Sequence, residues 1–216
     1  MARKMQNYDI GIFSGVAALA IFLVAIFVAT QYATSFQNWY TTNEHFSWTT
    51  MAISNLGVSS VAFQFTLVIL VVSLLIVKFS LMLKDAYGGP RIQKGTSLII
   101  YGYIALMATF IVLLYQPNST PTIAAHFATA IVYFILPPIG IILIGREFLA
   151  RKNAWLGYSS ILLGTLAFIF GPIVCFGSSI IFGNKGVAIP ELLQILSEGA
   201  WMFIFTVDML KLRHKR

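Results

Sequence analysis

Charge is what this chain has least of. Only 10% of its 216 residues are Asp, Glu, Lys or Arg, and just seven are acids. An ordinary soluble domain carries about 25%, so a water-exposed globular protein is excluded. The single cysteine, Cys175, rules out an internal disulfide and lies in an apolar run where it is expected to pack. Only three histidines occur, with no His-x-x-x-His spacing. Glu44, His45, His126 and Glu198 are ligand types for a divalent ion, but their pattern matches no known site, so no metal and no cofactor is expected. Serine-hydrolase elbows, glycine-rich phosphate loops and zinc-protease helices are also missing.

Apolar residues fill the space that charge vacates, at 58% of the chain. A bilayer crossing needs about 20 apolar residues. Six such runs are read near 10–35, 61–83, 97–116, 123–145, 154–177 and 191–210. The first exceeds the roughly 7–15 apolar residues of a signal-peptide core and is read as a retained helix. No repeat, low-complexity tract or soluble domain remains between the runs. The expected fold is all-α, a single membrane domain over residues 1–216 with six transmembrane helices in one bundle.

The basic residues orient that bundle. Thirteen of the fourteen Lys and Arg residues fall before the first span, in the second and fourth connections, or at and beyond the C-terminal ends of the second and last spans. Lys185 alone falls on the other side. The positive-inside rule then predicts a multi-pass protein of the cell membrane with both termini cytoplasmic. It also accounts for the net charge of +7 without a nucleic-acid partner. The longer connections, about 36–60 and 178–190, are outer ones, so a site is expected outside or within the bilayer.

Titratable groups inside a bilayer are costly, and each is a site candidate. Lys78, Asp9 and Asp208 sit near inner span ends, where snorkelling, helix-start placement and pairing with Lys211 account for them. His126 and Glu198 do not yield to such explanations, because both fall in the outer leaflet. Glu191, Gln194, Glu198, Trp201, Phe205 and Asp208 recur at spacings of three and four, which puts them on one helix face turned to the interior. His126, Thr129, Ala130 and Tyr133 share a face of the fourth span, and Gln31 and Gln64 lie near outer span ends. The pattern predicts a polar cavity open outward and closed inward. His126 and Glu198 are its candidate acid–base pair, or a hydrogen-bonded couple that glues helices. Pro137, Pro138 and Pro172 are candidate kinks.

The run "HFSWTTMAISNLGVSS", residues 45–60, carries no positive charge and lies where the cavity opens. It is expected to form a lid, with Trp39, Tyr40, Phe46 and Trp48 as an interfacial aromatic belt. Glu44, His45, Ser54, Asn55, Gln64, His126, Gln194 and Glu198 are the expected binding residues. Ser54 and Asn55 are read as shaping a turn or helix cap.

The segment "AISNLG", the histidine of "AAHFATA" and the glutamate of "SEGAWMFIFTVDML" resemble the six-span DRAM/Frag/Sfk-like membrane proteins. They are most similar to the prokaryotic relatives in family 998 of the domains of unknown function. Ile53, Ser54 and Gly57 match the Ile-Ser-Asp-Thr-Gly motif of the DRAM branch. Asn55 and Leu56 replace its Asp and Thr, and no Pro-Tyr precedes it. Glu198, Trp201 and Asp208 are similar to that branch's last span but spaced differently. The resemblance implies an outward, lipid-associated role with membrane lipids as partners.

Three functions follow as expectations: a lipid-binding or lipid-organising protein, a non-catalytic scaffold or assembly subunit, and a small proton-coupled transporter. A membrane-protein partner or homo-oligomer belongs to the second. The orientation is testable by cysteine labelling in a Cys175→Ser background. Thr41→Cys should react with an impermeant maleimide on intact cells, and Lys152→Cys only after permeabilisation; the reverse pattern contradicts it.

Overall fold

Backbone amides in hydrocarbon must find partners within the chain, which favours helices over every open alternative. The computed structural model describes residues 2–34, 45–49, 51–115, 119–175 and 187–214. Its six long helices are α1 (Ala2–Tyr32), α2 (Ala62–Tyr87), α3 (Pro90–Tyr115), α4 (Thr120–Ala150), α5 (Ala154–Phe168) and α6 (Ala188–His214). All six contain stretches long and apolar enough to cross a membrane, with α5 doing so through the turn that follows it. Most helices overrun the expected spans at the basic end, because a helix can continue past the lipid boundary on polar residues.

Each helix packs on the next, and α6 returns to α1, so the bundle closes as a ring. Lipid tails are as apolar as side chains, so close packing rather than the hydrophobic effect holds such helices together. The α3–α4 contact is the most extensive and rests on two glycines. A Cβ on Gly95 would stand 2.6 Å from the Gly140 carbonyl oxygen, and one on Gly140 would meet the Gly95 oxygen. Pro137 and Pro138 lie within the unbroken α4 and are buried. Pro137 packs onto Gly102, so these prolines serve helix contact rather than opening a pocket.

At the basic end, two glycines with positive φ, Gly88 (58°) and Gly89 (97°), turn the chain between α2 and α3, as only glycine does readily. Arg151, at the end of α4, clamps that turn. It donates to the carbonyls of Tyr87 (2.7 Å) and Gly88 (2.9 Å) and pairs with Glu147 (3.0 Å). Asp208 accepts from the Tyr87 hydroxyl at 2.6 Å. The expected partner Lys211 is replaced because the aromatic ring brings a donor into the interior that a solvated lysine does not.

At the opposite end, residues Ile53–Val58 form a short 3-10 helix. Met51, Ile53, Leu56, Gly57 and Val58 are buried, so the apolar positions pull the segment into the mouth of the ring. Phe46 and Trp48 meet edge to face at 5.2 Å and pack on the core. Trp39 and Tyr40 lie outside the described residues.

Gly140 offers the sharpest test of this packing. Gly140→Val should destabilise the protein by about 1–3 kcal/mol, the usual range for overpacking, read as a lowered midpoint in detergent unfolding. An unchanged midpoint contradicts the contact.

Candidate functional site

The interior stripe of α6 is built as its spacing requires. Glu191, Gln194, Glu198, Trp201 and Phe205 are all buried, and each polar group on that face needs a partner. Glu198 has two. Tyr103 of α3 donates to Oε2 at 2.6 Å, and Gln194, one turn away, donates to Oε1 at 2.9 Å. One turn further along, the Trp201 indole donates to Ser160 of α5 at 3.1 Å, and Ser160 donates to the Leu156 carbonyl. Thr206 donates to the Ile12 carbonyl of α1 at 3.1 Å. One face of one helix thus ties down α1, α3 and α5.

The expected His126–Glu198 couple is therefore absent. Both Glu198 oxygens are occupied by other donors, and the Nδ1 of His126 is buried with no hydrogen-bond partner. The physical reason is that α3, bearing Tyr103, supplies the donor that Glu198 requires. Tyr103 was not singled out from sequence. The available signal was a face of α3 continuing through Ile92, Thr96, Ile99, Tyr103 and Phe110 at helical spacing, all of them buried.

Between Glu198 and the mouth of the ring lies a cavity of about 140 Å³. Residues from α1, α2, α3, α4 and α6 wall it, and Ala52, Ile53 and Ser54 line it from the 51–58 segment. Phe22, Phe110, Phe127, Tyr133 and Phe134 supply aromatic walls, while Ser54, Thr109, His126 and Glu191 bring polar groups. The cavity is thus mainly apolar, not the polar chamber that the stripe suggested, since most of the stripe's polar atoms bind one another below it. Among the described residues, no Lys or Arg lines it.

The closing segment is held by a carboxyl group. Glu191 Oε2 accepts from the Ile53 backbone N–H at 2.5 Å, and the Ala188 N–H donates to the Met51 carbonyl at 3.0 Å. These two bonds satisfy backbone groups at the start of the 3-10 helix and of α6, where helices leave donors unpaired. Asn55 Oδ1 accepts from the Ala52 N–H at 2.8 Å, so its role is local shaping. Gly57 lets the segment sit against α3, for a Cβ there would stand 2.9 Å from the Phe110 ring.

Other expected residues fall elsewhere. Gln64 and Gln31 are exposed, because their helical phase turns them off the interior face. His45 is exposed and bridges backbone to backbone with Thr34. Glu44 lies outside the described residues. Gln194 is fully buried against Gly171, where a Cβ would collide with its side-chain oxygen. Gly171 and Pro172 belong to a π-helical turn, Ile169–Cys175, that continues α5; such turns often accompany sites. Among the described residues, no three of His, Cys, Asp and Glu gather as metal ligands would. Below Glu198 the interior is aromatic: Trp201 meets Phe79 and Phe205, and Phe205 meets Phe148 and Tyr87, all with centroids within 6 Å.

Residues 16–208 match the family described as "Protein of unknown function (DUF998)". The chain belongs to the DUF998 family. No curated protein and no solved structure matches it. This DUF998 chain is a multi-pass membrane protein, with six helices fit to span and a family match covering nearly all of them.

The division of labour between Glu198 and His126 can be measured. Glu198→Leu strands the Tyr103 hydroxyl and the Gln194 amide, so it should cost on the order of 1–3 kcal/mol in detergent unfolding. Adding Tyr103→Phe should cost less in that background than in the wild type. His126→Phe breaks no hydrogen bond of Nδ1 and should change stability much less. Equal costs for Glu198→Leu and His126→Phe contradict the assignment.

Proposed function

We propose that this DUF998 protein binds membrane lipid, taking the apolar part of an amphiphile into the cavity beneath residues 51–58. The observation that carries this reading is the cavity itself, with aromatic and aliphatic walls, a few polar groups and a closing segment of its own. Binding sites for small molecules have this composition. In a bilayer, the neighbouring apolar molecules are lipids. The likeness of Ile53, Ser54 and Gly57 to the DRAM/Frag/Sfk motif supports a lipid-associated role, since those three residues belong to the closing segment. We place the cavity in the outer half of the cell membrane and both termini in the cytoplasm, on the strength of the basic residues at the other end.

A second reading, a non-catalytic scaffold or assembly subunit with a membrane-protein partner or a second copy, is favoured by the Tyr103–Glu198–Gln194 chain. There the buried polar groups serve helix cohesion alone. The aromatic layer around Trp201 and Phe205 weighs against a proton-coupled carrier, which needs a polar path through that half.

Native mass spectrometry separates the first two readings. Protein extracted from membranes should retain a bound lipid, and Ala130→Phe, which fills the cavity wall, should lose it while remaining folded. Identical retention in both proteins removes the cavity as the binding site.

A further inference from the structure

The polar groups around the cavity point to the chemistry of what it holds. His126 is nine-tenths buried, lines the cavity, and keeps an Nδ1 with no hydrogen-bond partner. Such an orphaned group is costly inside a low-dielectric bundle. Other polar groups of the lining are partly committed. The Thr109 hydroxyl lies 2.6 Å from that of Thr129, which donates to the Ala125 carbonyl. One Glu191 oxygen holds Ile53, and Glu198 lies below with both its donors. Ser54 adds a hydroxyl at the closing wall.

Charge narrows the choice. A phosphate or carboxylate needs a cation or several donors when taken from water. Among the described residues no Lys or Arg lines the cavity, and it presents the Glu191 carboxyl. The lysines and arginines with described side chains, such as Lys84, Arg91, Arg146 and Arg151, belong to the half of the bundle with the α2–α3 and α4–α5 turns. An anionic head group is therefore poorly received here. A hydroxyl both donates and accepts, and an imidazole can answer it in either sense.

Size narrows it again. Cavities of about 150 Å³ with apolar walls hold a molecule the size of benzene. The space suits one ring or a short chain end, not a whole lipid head.

We propose that the cavity selects an uncharged amphiphile with a hydroxyl group, seating its ring or chain end among the aromatic walls and its hydroxyl on His126. This deepens the lipid-binding reading and rests on it.

The test uses the full chain in nanodiscs of saturated phosphatidylcholine, with isoleucine methyl groups labelled for NMR. Ile69 and Ile195 line the cavity and report occupancy whatever stands at position 126. Benzene, phenol, 1-pentanol and benzoate are titrated into wild type, His126→Phe, His126→Gln and the filled variant Ala130→Phe. Phenol or 1-pentanol should shift these methyls at a concentration roughly two- to twelvefold below benzene, the worth of one hydrogen bond. Which alcohol does so separates a ring from a chain end. Benzoate should be the weakest. His126→Phe should still bind benzene but lose the preference, and His126→Gln should keep part of it.

Equal binding of benzene and both alcohols by wild type overturns the hydroxyl proposal while leaving the cavity a binding site. Tighter binding of benzoate overturns it as well. If no probe shifts the methyls more in wild type than in Ala130→Phe, the lipid-binding reading fails and this proposal with it. The wild-type ranking decides even where a His126 variant does not fold.

Discussion

A bilayer interior offers no water to a polar side chain, so the buried polar groups of α6 draw their partners from neighbouring helices and from α6 itself. That constraint organises the molecule. Glu198 is met by Tyr103 and Gln194, Trp201 by Ser160, and Thr206 by the Ile12 carbonyl. The helix that carries more of the described buried polar side chains than any other is thereby fixed in rotation and depth against α1, α3 and α5. Its first turn then presents Glu191 where the 51–58 segment arrives, and that carboxyl holds Ile53. The cavity exists because the same helix spends its polar atoms below it and leaves mainly aliphatic and aromatic groups above.

The layers follow from this arrangement. At the basic end, Arg151 and Glu147 tie the α2–α3 turn to α4. Next comes the aromatic packing around Trp201 and Phe205, then the Glu198 layer, then the cavity, then the closing segment. The two halves differ: one packs aromatic rings around Trp201 and Phe205, while the other keeps the cavity beneath residues 51–58. Among the described residues, the hydroxyls of Thr66, Ser73 and Ser80, the Oε1 of Gln194 and the Nδ1 of His126 are buried without a partner, and of these residues His126 lines the cavity. Tyr103, Ser160 and Tyr87 each meet a fixed acceptor or donor, whereas His126 lines the cavity with its Nδ1 unpartnered.

Much of the fold was legible in the sequence, because hydropathy reports directly on helices that must satisfy their own backbones. All six spans appear near their expected positions, and the α6 stripe faces inward as its spacing demands. The 51–58 segment meets the cavity, with Ser54 in its lining and Asn55 in local shaping. What the sequence withheld was pairing across helices. His126 and Glu198 share a leaflet by residue count, but depth along a helix says nothing of azimuth around the ring. Tyr103 takes the place assigned to His126 because α3 turns that ring toward α6. Glu191 was visible as one member of a stripe, while its role as anchor of a segment 138 residues earlier depended on tertiary geometry. Gln64 and His45 were placed by proximity to the mouth, and helical phase and exposure put them outside the cavity.

The central claim is that the space beneath Ile53 and beside His126 is a site for a bilayer molecule and not a packing void. The most direct measurement is a high-resolution density map of the protein extracted from its own membrane in nanodiscs, without added ligand. The account predicts continuous non-protein density in the cavity, ring- or chain-shaped, with a polar end within hydrogen-bond reach of the His126 imidazole. A cavity collapsed by side chains, or one holding no density beyond the protein, would contradict it.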